Sequence, residues 1–262
     1  MIDKIKLSIA TTITISLILF SWKFFYSLGC FSLLFPIVVL AVVSSSFIDI
    51  KMNERICFKN CYFQDNSVFS RILTSSIGVV FFYFILSMAF TFSIMYGVIS
   101  FPYQIWLYLL VHIALVTLIY KRIIKSLKYT IQDKYINIFS REWTINISSI
   151  ILFFMYGYIF YNGYEPDYLV KDLVQTVENA SNSISSSCLF IDYLLRFNTE
   201  LDGTFWWIVS NSSETFDNET LKTAIWAGFI FINSLAVLGI NRFIVQIVYL
   251  LDKIFSRKAN EK

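Results

Sequence analysis

His112 is the only histidine among 262 residues, and it lies inside a stretch from 72 to 120 that holds no Asp, Glu, Lys or Arg. A histidine-dependent triad placed there would have no water to work with. The four cysteines separate into two kinds. Cys57 and Cys61 have three residues between them, close enough for one metal ion, yet no histidine or second cysteine pair accompanies them, so zinc is not expected. Cys30 and Cys188 both fall in segments assigned below to the outer face, where an oxidising compartment would join them. A Cys30 to Cys188 disulfide is one reading and two unrelated thiols the other. The chain holds no G-x-S-x-G, H-E-x-x-H, glycine-rich phosphate loop or dinucleotide fingerprint. It reads as non-enzymatic, with no catalytic residue, no cofactor and no metal.

The remaining chemistry lies in polar groups within apolar runs, since such groups in a membrane usually face an interior or a water path. Lys23 and Arg242 stand near the ends of their runs, and snorkelling accounts for both. His112 and Asn233 lie deeper. Either they hydrogen-bond between helices, or they are the polar lining of a conduction path. Thr11, Thr12, Thr14 and Ser16, together with Ser44, Ser45 and Ser46, would supplement either role.

The elements that must position these groups follow from composition. Hydrophobic residues make up 57% of the chain and charged ones 15%, with 8 Gly and 3 Pro. A mean hydropathy of +0.65 at this length calls for a bilayer and excludes a disordered or loop-rich chain. Charge-free windows at 7 to 22, 24 to 48, 72 to 120, 143 to 164 and 223 to 241 mark the spans. The longest divides at Phe101-Pro102, because proline disfavours helix at the residue before it. The first two divide at Ser27-Leu28-Gly29-Cys30. The expected fold is therefore an all-α, polytopic membrane bundle of about six helices: 5 to 27, 31 to 49, 72 to 98, 103 to 120, 144 to 162 and 223 to 251. By domain, residues 1 to 162 carry five spans and two basic loops, 50 to 71 and 121 to 142. Residues 163 to 222 form an acidic cap, 223 to 251 the sixth span, and 252 to 262 a tail. Lys4 and Lys6 before an apolar run suit a secretory signal, but no small-x-small cleavage pattern follows, so the first span is expected to be retained.

Lys and Arg are kept on the cytoplasmic side. The first tail, both loops and the last tail are basic, whereas 162 to 222 holds Lys171, Arg196 and Lys222 against ten acids, a net of 3 − 10 = −7. Both termini are expected inside and the cap outside, in a cell inner membrane. The overall charge of +3 thus reflects topology and anionic lipid, with no nucleic acid implied.

Two segments outside the spans have helical periodicity. Tyr120, Ile124, Leu127, Ile131, Tyr135 and Ile138 form a stripe with Lys121, Lys125, Lys128 and Lys134 off it. One basic-faced helix over 121 to 139 follows. It either lies in the inner headgroup layer or extends span four toward a cytoplasmic partner protein or a second protomer. In the cap, Glu165-Pro166-Asp167 reads as a helix start, followed by a stripe at Leu169, Val170, Leu173, Val174 and Val177. A break at Ser181-Asn182-Ser183 precedes a second stripe at Ile184, Cys188, Ile191 and Leu195, and Phe205-Trp206-Trp207-Ile208 resembles an interfacial anchor.

Functional expectations rest partly on context. With 38 Ile against 9 Ala, the chain has the bias of AT-rich coding, which in bacteria is frequent in mobile elements and defence islands. The leading expectation is a homo-oligomeric, membrane-permeabilising or pore-forming effector of a defence or toxin system, gated by a cytoplasmic partner. An alternative is an immunity or exclusion protein that binds a toxin or incoming factor through its cap. A transporter subunit is the third, weakened by the absence of an internal repeat.

Overall fold

The computed structural model describes residues 2–62, 76–161, 165–215 and 219–260. Within the helices, some side chains, including those of Cys61 and Asn233, lie outside the described residues. The described residues form helices and no strand. They are α1 (Ile2–Phe25), a 3-10 turn (Cys30–Leu33), α2 (Leu34–Tyr62), α3 (Ser76–Ser100), α4 (Tyr103–Leu127), α5 (Asp133–Tyr161), α6 (Leu173–Asn182), α7 (Leu189–Thr215) and α8 (Glu219–Asn260).

The protein is a helical membrane bundle. Five helices, α1 to α4 and α8, are long and apolar enough to cross a bilayer. The expected fifth span, 144 to 162, falls in α5, which is absent from those five; its first third carries Asp133, Lys134, Arg141 and Glu142. Apolar side chains on the outside agree with a lipid surround: Phe81, Phe82, Leu107, Val111, Ile150 and Phe154 are all exposed.

The hairpins form where breakers stand. Pro102 caps α4 in extended backbone, and Phe101 N–H returns to Gly97 O at 2.8 Å, which closes the α3 end. Gly29 supplies the α1–α2 turn with φ 156, a value that L residues rarely adopt. Pro36 sits in the first turn of α2, where its missing N–H costs nothing.

α8 is the axis. It packs against α1, α2, α3, α4, α5 and α7, and every residue from Ile240 to Val248 is buried. A helix buried on all sides must be a central one. Around it, the buried core includes Ile15, Leu19, Val39, Val43, Ile94, Val98, Ile113 and Val116.

Several expected boundaries are corrected. α2 continues beyond 49 to Tyr62, because its polar residues find partners on the helix surface: Lys51 Nζ lies 2.8 Å from Glu54, and Asn53 donates to Asp49 O at 2.7 Å. The described part of the 50 to 71 loop is therefore helical, and 63 to 75 lie outside the described residues. The single basic helix over 121 to 139 is instead the end of α4 and the start of α5. Lys128 N–H closes on Ile124 O and Ile131 N–H on Leu127 O, and α5 begins at Asp133, an acid suited to the positive end of its dipole. The stripe kept its period across this short turn because both helices face the same core. Tyr120 is buried, and Ile124 and Ile138 pack on the core.

In the cap, the helix expected from Glu165 starts at Leu173. Asp172 is its cap, accepting from Gln175 N–H at 2.9 Å. The second cap helix, α7, is a full 27 residues and reaches the tetrad at 205 to 208. Trp206 is buried and meets Phe229 of α8 edge-on at 4.8 Å, while Trp207 Nε1 donates to Lys171 O at 2.9 Å. For Trp206, core packing takes the place of headgroup anchoring.

Candidate functional site

Two polar regions lie along α8. One fills the half of the bundle that carries the chain termini; the other is a cavity beneath the cap.

The first region begins at His112 on α4, 0% exposed. Its Nε2 is 3.2 Å from Asn241 Oδ1. Because that oxygen can only accept, Nε2 holds the proton, and buried Nδ1 is left without a partner. Asn241 is saturated from the other side. Its Nδ2 reaches Ile145 O at 2.9 Å, Ser148 Oγ at 2.8 Å and Ser149 Oγ at 2.8 Å, all on α5. Ser148 Oγ also lies 3.1 Å from Asn241 Oδ1.

Further toward the termini, Arg141 on α5 is 1% exposed. It donates through Nε to Asn137 O at 3.1 Å and through Nη1 to Gln246 Oε1 at 3.2 Å, pairs with Asp49 of α2, and covers the Tyr249 ring at 4.2 Å. Gln246 in turn donates to Ser45 Oγ at 3.3 Å. Beside it, Arg242 meets Glu142 at 3.4 Å and stacks over Phe47 at 3.8 Å, and Lys51 reaches the same Glu142 at 3.8 Å. Lys121 of α4 pairs with Asp252 of α8. Charged groups this deep are tolerated only when bonded in this way.

The cavity, about 400 Å³, lies between the cap and α3, α5 and α8. Asp202 of α7 lines it, and Tyr168 and Tyr96 both donate to its Oδ2, at 2.6 and 3.0 Å. Burial holds the Asp202 carboxyl above the usual carboxylate range, with the two phenols pulling it partly back. The cap is fastened over this space. Cys30 and Cys188 form a disulfide with Cα atoms 4.8 Å apart, Ser186 Oγ donates to Tyr26 O at 2.7 Å, and Ser187 N–H donates to Ser27 O at 3.1 Å. Asp192 steadies the same turn by accepting from Ser186 N–H at 2.8 Å and from Arg196, and these hold its carboxyl below the usual range.

A thin apolar layer separates the two regions. On α8, Ala236 lines the cavity and Asn241 begins the network, five residues or about 7.5 Å along the axis. Val237 and Ile240 are buried between them, and Ile94 of α3, Leu109 of α4 and Leu152 of α5 are buried on the facing helices. Gly239 lets α3 approach closely, since a Cβ there would stand 3.0 Å from Ile94.

Of the residues singled out from sequence, His112 takes part in the network but is sealed within one bundle. The side chain of Asn233 lies outside the described residues. Lys121 is tied to Asp252, whereas Lys125 and Lys128 are exposed at the end of α4. Lys23 does more than snorkel: its ammonium donates to Phe101 O at 3.3 Å, at the end of α3, and lies over Trp106 at 5.1 Å. Arg242 is likewise turned inward by Glu142. Thr11, Thr12 and Thr14 bond back to Leu7, Ser8 and Ala10 carbonyls within α1. Cys57 is a free thiol beside a second cavity, about 500 Å³, which Glu54 and Glu142 also line; Cys61 lies outside the described side chains.

Sequence reasoning passed over Asn241, Ser148, Ser149, Arg141 and Gln246. The available signal was weak: Asn241 and Gln246 late in the last apolar run, and Ser148-Ser149 in the fifth. The site and fold together define a multi-helix membrane protein with a buried polar network. No protein-family model, characterised protein or solved structure matches the chain.

Proposed function

We propose that the protein is a gated, membrane-permeabilising effector of a bacterial inner membrane, with a closed conduction path running beside α8. The observation that carries this reading is the alignment of two polar regions separated only by the layer of Ile94, Leu109, Leu152, Val237 and Ile240. Polar side chains inside a membrane protein usually border a path, and an apolar constriction closes such a path by dewetting. A bundle with an apolar interior would need several protomers to conduct; here the polar groups of four helices already meet within one. Homo-oligomerisation then enters as a means of gating.

In this reading α5 also crosses, as the fifth of six spans, both termini are cytoplasmic and the cap is outside, in keeping with the distribution of Lys and Arg. The cytoplasmic partner would act where Lys121–Asp252 and Lys51–Glu142–Arg242 join α2, α4, α5 and α8, next to exposed Lys125 and Lys128. A defence setting draws only on the compositional bias described above.

Flux from liposomes containing the purified protein tests the reading. Ile240→Ser, which wets the layer, should raise the ion leak about tenfold or more over the unmodified protein, the scale expected when about 1.4 kcal/mol is taken from a barrier. An Ile240→Ser protein that inserts and passes no ions sinks it. A reporter fused at Asn179 that reads as cytoplasmic would overturn the orientation.

One observation favours the binding alternative. Phe190, Tyr193, Phe197 and Leu201 form an exposed apolar stripe on α7. A rigid cap bearing such a stripe suits capture of a toxin or incoming factor, and protection from one agent without any depolarisation would support that reading over the first.

A further inference from the structure

We infer that the cavity beneath the cap is a binding site for a small monovalent organic ammonium compound, with Asp202 as its counter-charge and aromatic rings as its walls. The inference concerns binding alone and holds whether or not the bundle conducts.

Asp202 is the reason. A carboxylate buried at the wall of a mostly apolar cavity is costly without compensation. Here both phenols, Tyr96 and Tyr168, donate to the same oxygen, Oδ2. Among the described residues no hydrogen bond reaches Oδ1, and no Lys or Arg forms an ion pair with Asp202. Half of the carboxylate's acceptor capacity therefore remains for a guest, at the wall of a space of about 400 Å³. That volume falls in the range of small-molecule pockets and is far larger than a bare metal ion needs.

The walls specify the rest of the guest. Tyr26, Phe101, Tyr156, Phe205 and Trp206 line the cavity in addition to the two bonded tyrosines. Aromatic faces attract an ammonium group through the ring quadrupole and cover an apolar body at the same time. Asp202 is the buried carboxylate of the lining, and a guest of charge +1 matches it. Asp167, exposed at the mouth, and the acidic cap around it would concentrate cations there. Two observations argue that the cavity is a built feature. Its roof is stapled by Cys30–Cys188, and its floor depends on Gly97, where a Cβ would stand 3.1 Å from the Phe101 ring and 3.4 Å from Ala236.

The test is calorimetric titration of the full-length protein in lipid nanodiscs with three probes: 2-phenylethylammonium, its neutral counterpart 2-phenylethanol, and sodium ion. Saturable one-to-one binding of the amine is expected, with the alcohol weaker by about tenfold or more, the scale of one charge-assisted hydrogen bond. Asp202→Asn should weaken the amine by a similar factor and leave the alcohol unchanged. Equal affinity for amine and alcohol overturns the inference, as does absence of saturable amine binding or an Asp202→Asn protein that binds the amine as well as the unmodified one. Sodium competing at millimolar levels would make this a metal-ion site and overturn it too. Should Asp202→Asn fail to fold, Leu201→Trp serves instead, because Leu201 is an exposed residue of the cavity lining and its replacement obstructs access while keeping Asp202 and both phenols. Undiminished amine binding in Leu201→Trp contradicts the assignment.

Discussion

Asn241 stands opposite His112 with Oδ1 3.2 Å from Nε2, although 129 residues separate them in the chain. The amide is the joint at which α4, α5 and α8 meet. Asn241→Ala would strand His112 Nε2 and remove the two N–H donors shared among Ile145 O, Ser148 Oγ and Ser149 Oγ of α5. Hydrogen bonds between membrane helices contribute about 0.6 kcal/mol on average and up to about 1.7. The loss should fall at the upper end, read as lowered resistance to unfolding in detergent. Stability equal to the unmodified protein would mean that Asn241 holds nothing together.

Arg141 and Asp49 are unequal partners. The arginine is 1% exposed, whereas the Asp49 side chain is 47% exposed. Removing the buried cation also removes bonds to Gln246 and Asn137 and the contact with Tyr249. Arg141→Ala should destabilise by about 3 kcal/mol or more, and Asp49→Asn by about 1 kcal/mol or less, because water screens it. Unfolding in graded dodecyl sulfate separates the two, and equal losses would contradict this account.

The Cys30–Cys188 bond closes a separation of 158 residues. A disulfide stabilises by about 2 to 4 kcal/mol, with the higher values for longer loops. Reducing agent should therefore lower the melting temperature of the unmodified protein and leave Cys188→Ser unaffected. Maleimide should label Cys30 and Cys188 only after reduction. Labelling of both before reduction would show that the bond is absent.

Asp202 gives the cap a pH dependence of defined sign. Its folded pKa lies above its ordinary value, so the native state binds the proton more tightly. The stabilisation is fully present below the unfolded pKa of 3.8 and is lost as pH rises through the folded value. Melting temperature should fall across this window in the unmodified protein more than in Asp202→Asn. Parallel profiles would remove Asp202 from the account.

What the sequence determined by itself was the class and the breakpoints. Long uncharged runs require helices in lipid, and Phe101-Pro102 and Gly29 end helices for steric reasons that are local to the chain. The stripe from Tyr120 to Ile138 shows the limit of such reading: a period of three and four survives a short turn between antiparallel helices that bury the same face, so one helix and two look alike. Only the tertiary structure decided which span is central. α8 differs little in composition from its neighbours, yet its stretch from Ile240 to Val248 is buried all round, and this turns Asn241, Arg242 and Gln246 from end-of-span polar residues into the axis of a network. The same holds for Asp202, one acid among ten in the segment 162 to 222, distinguished only by the two tyrosines that α3 and the segment before α6 bring to it. Local propensity is written residue by residue, whereas burial and partnership depend on which distant helices meet.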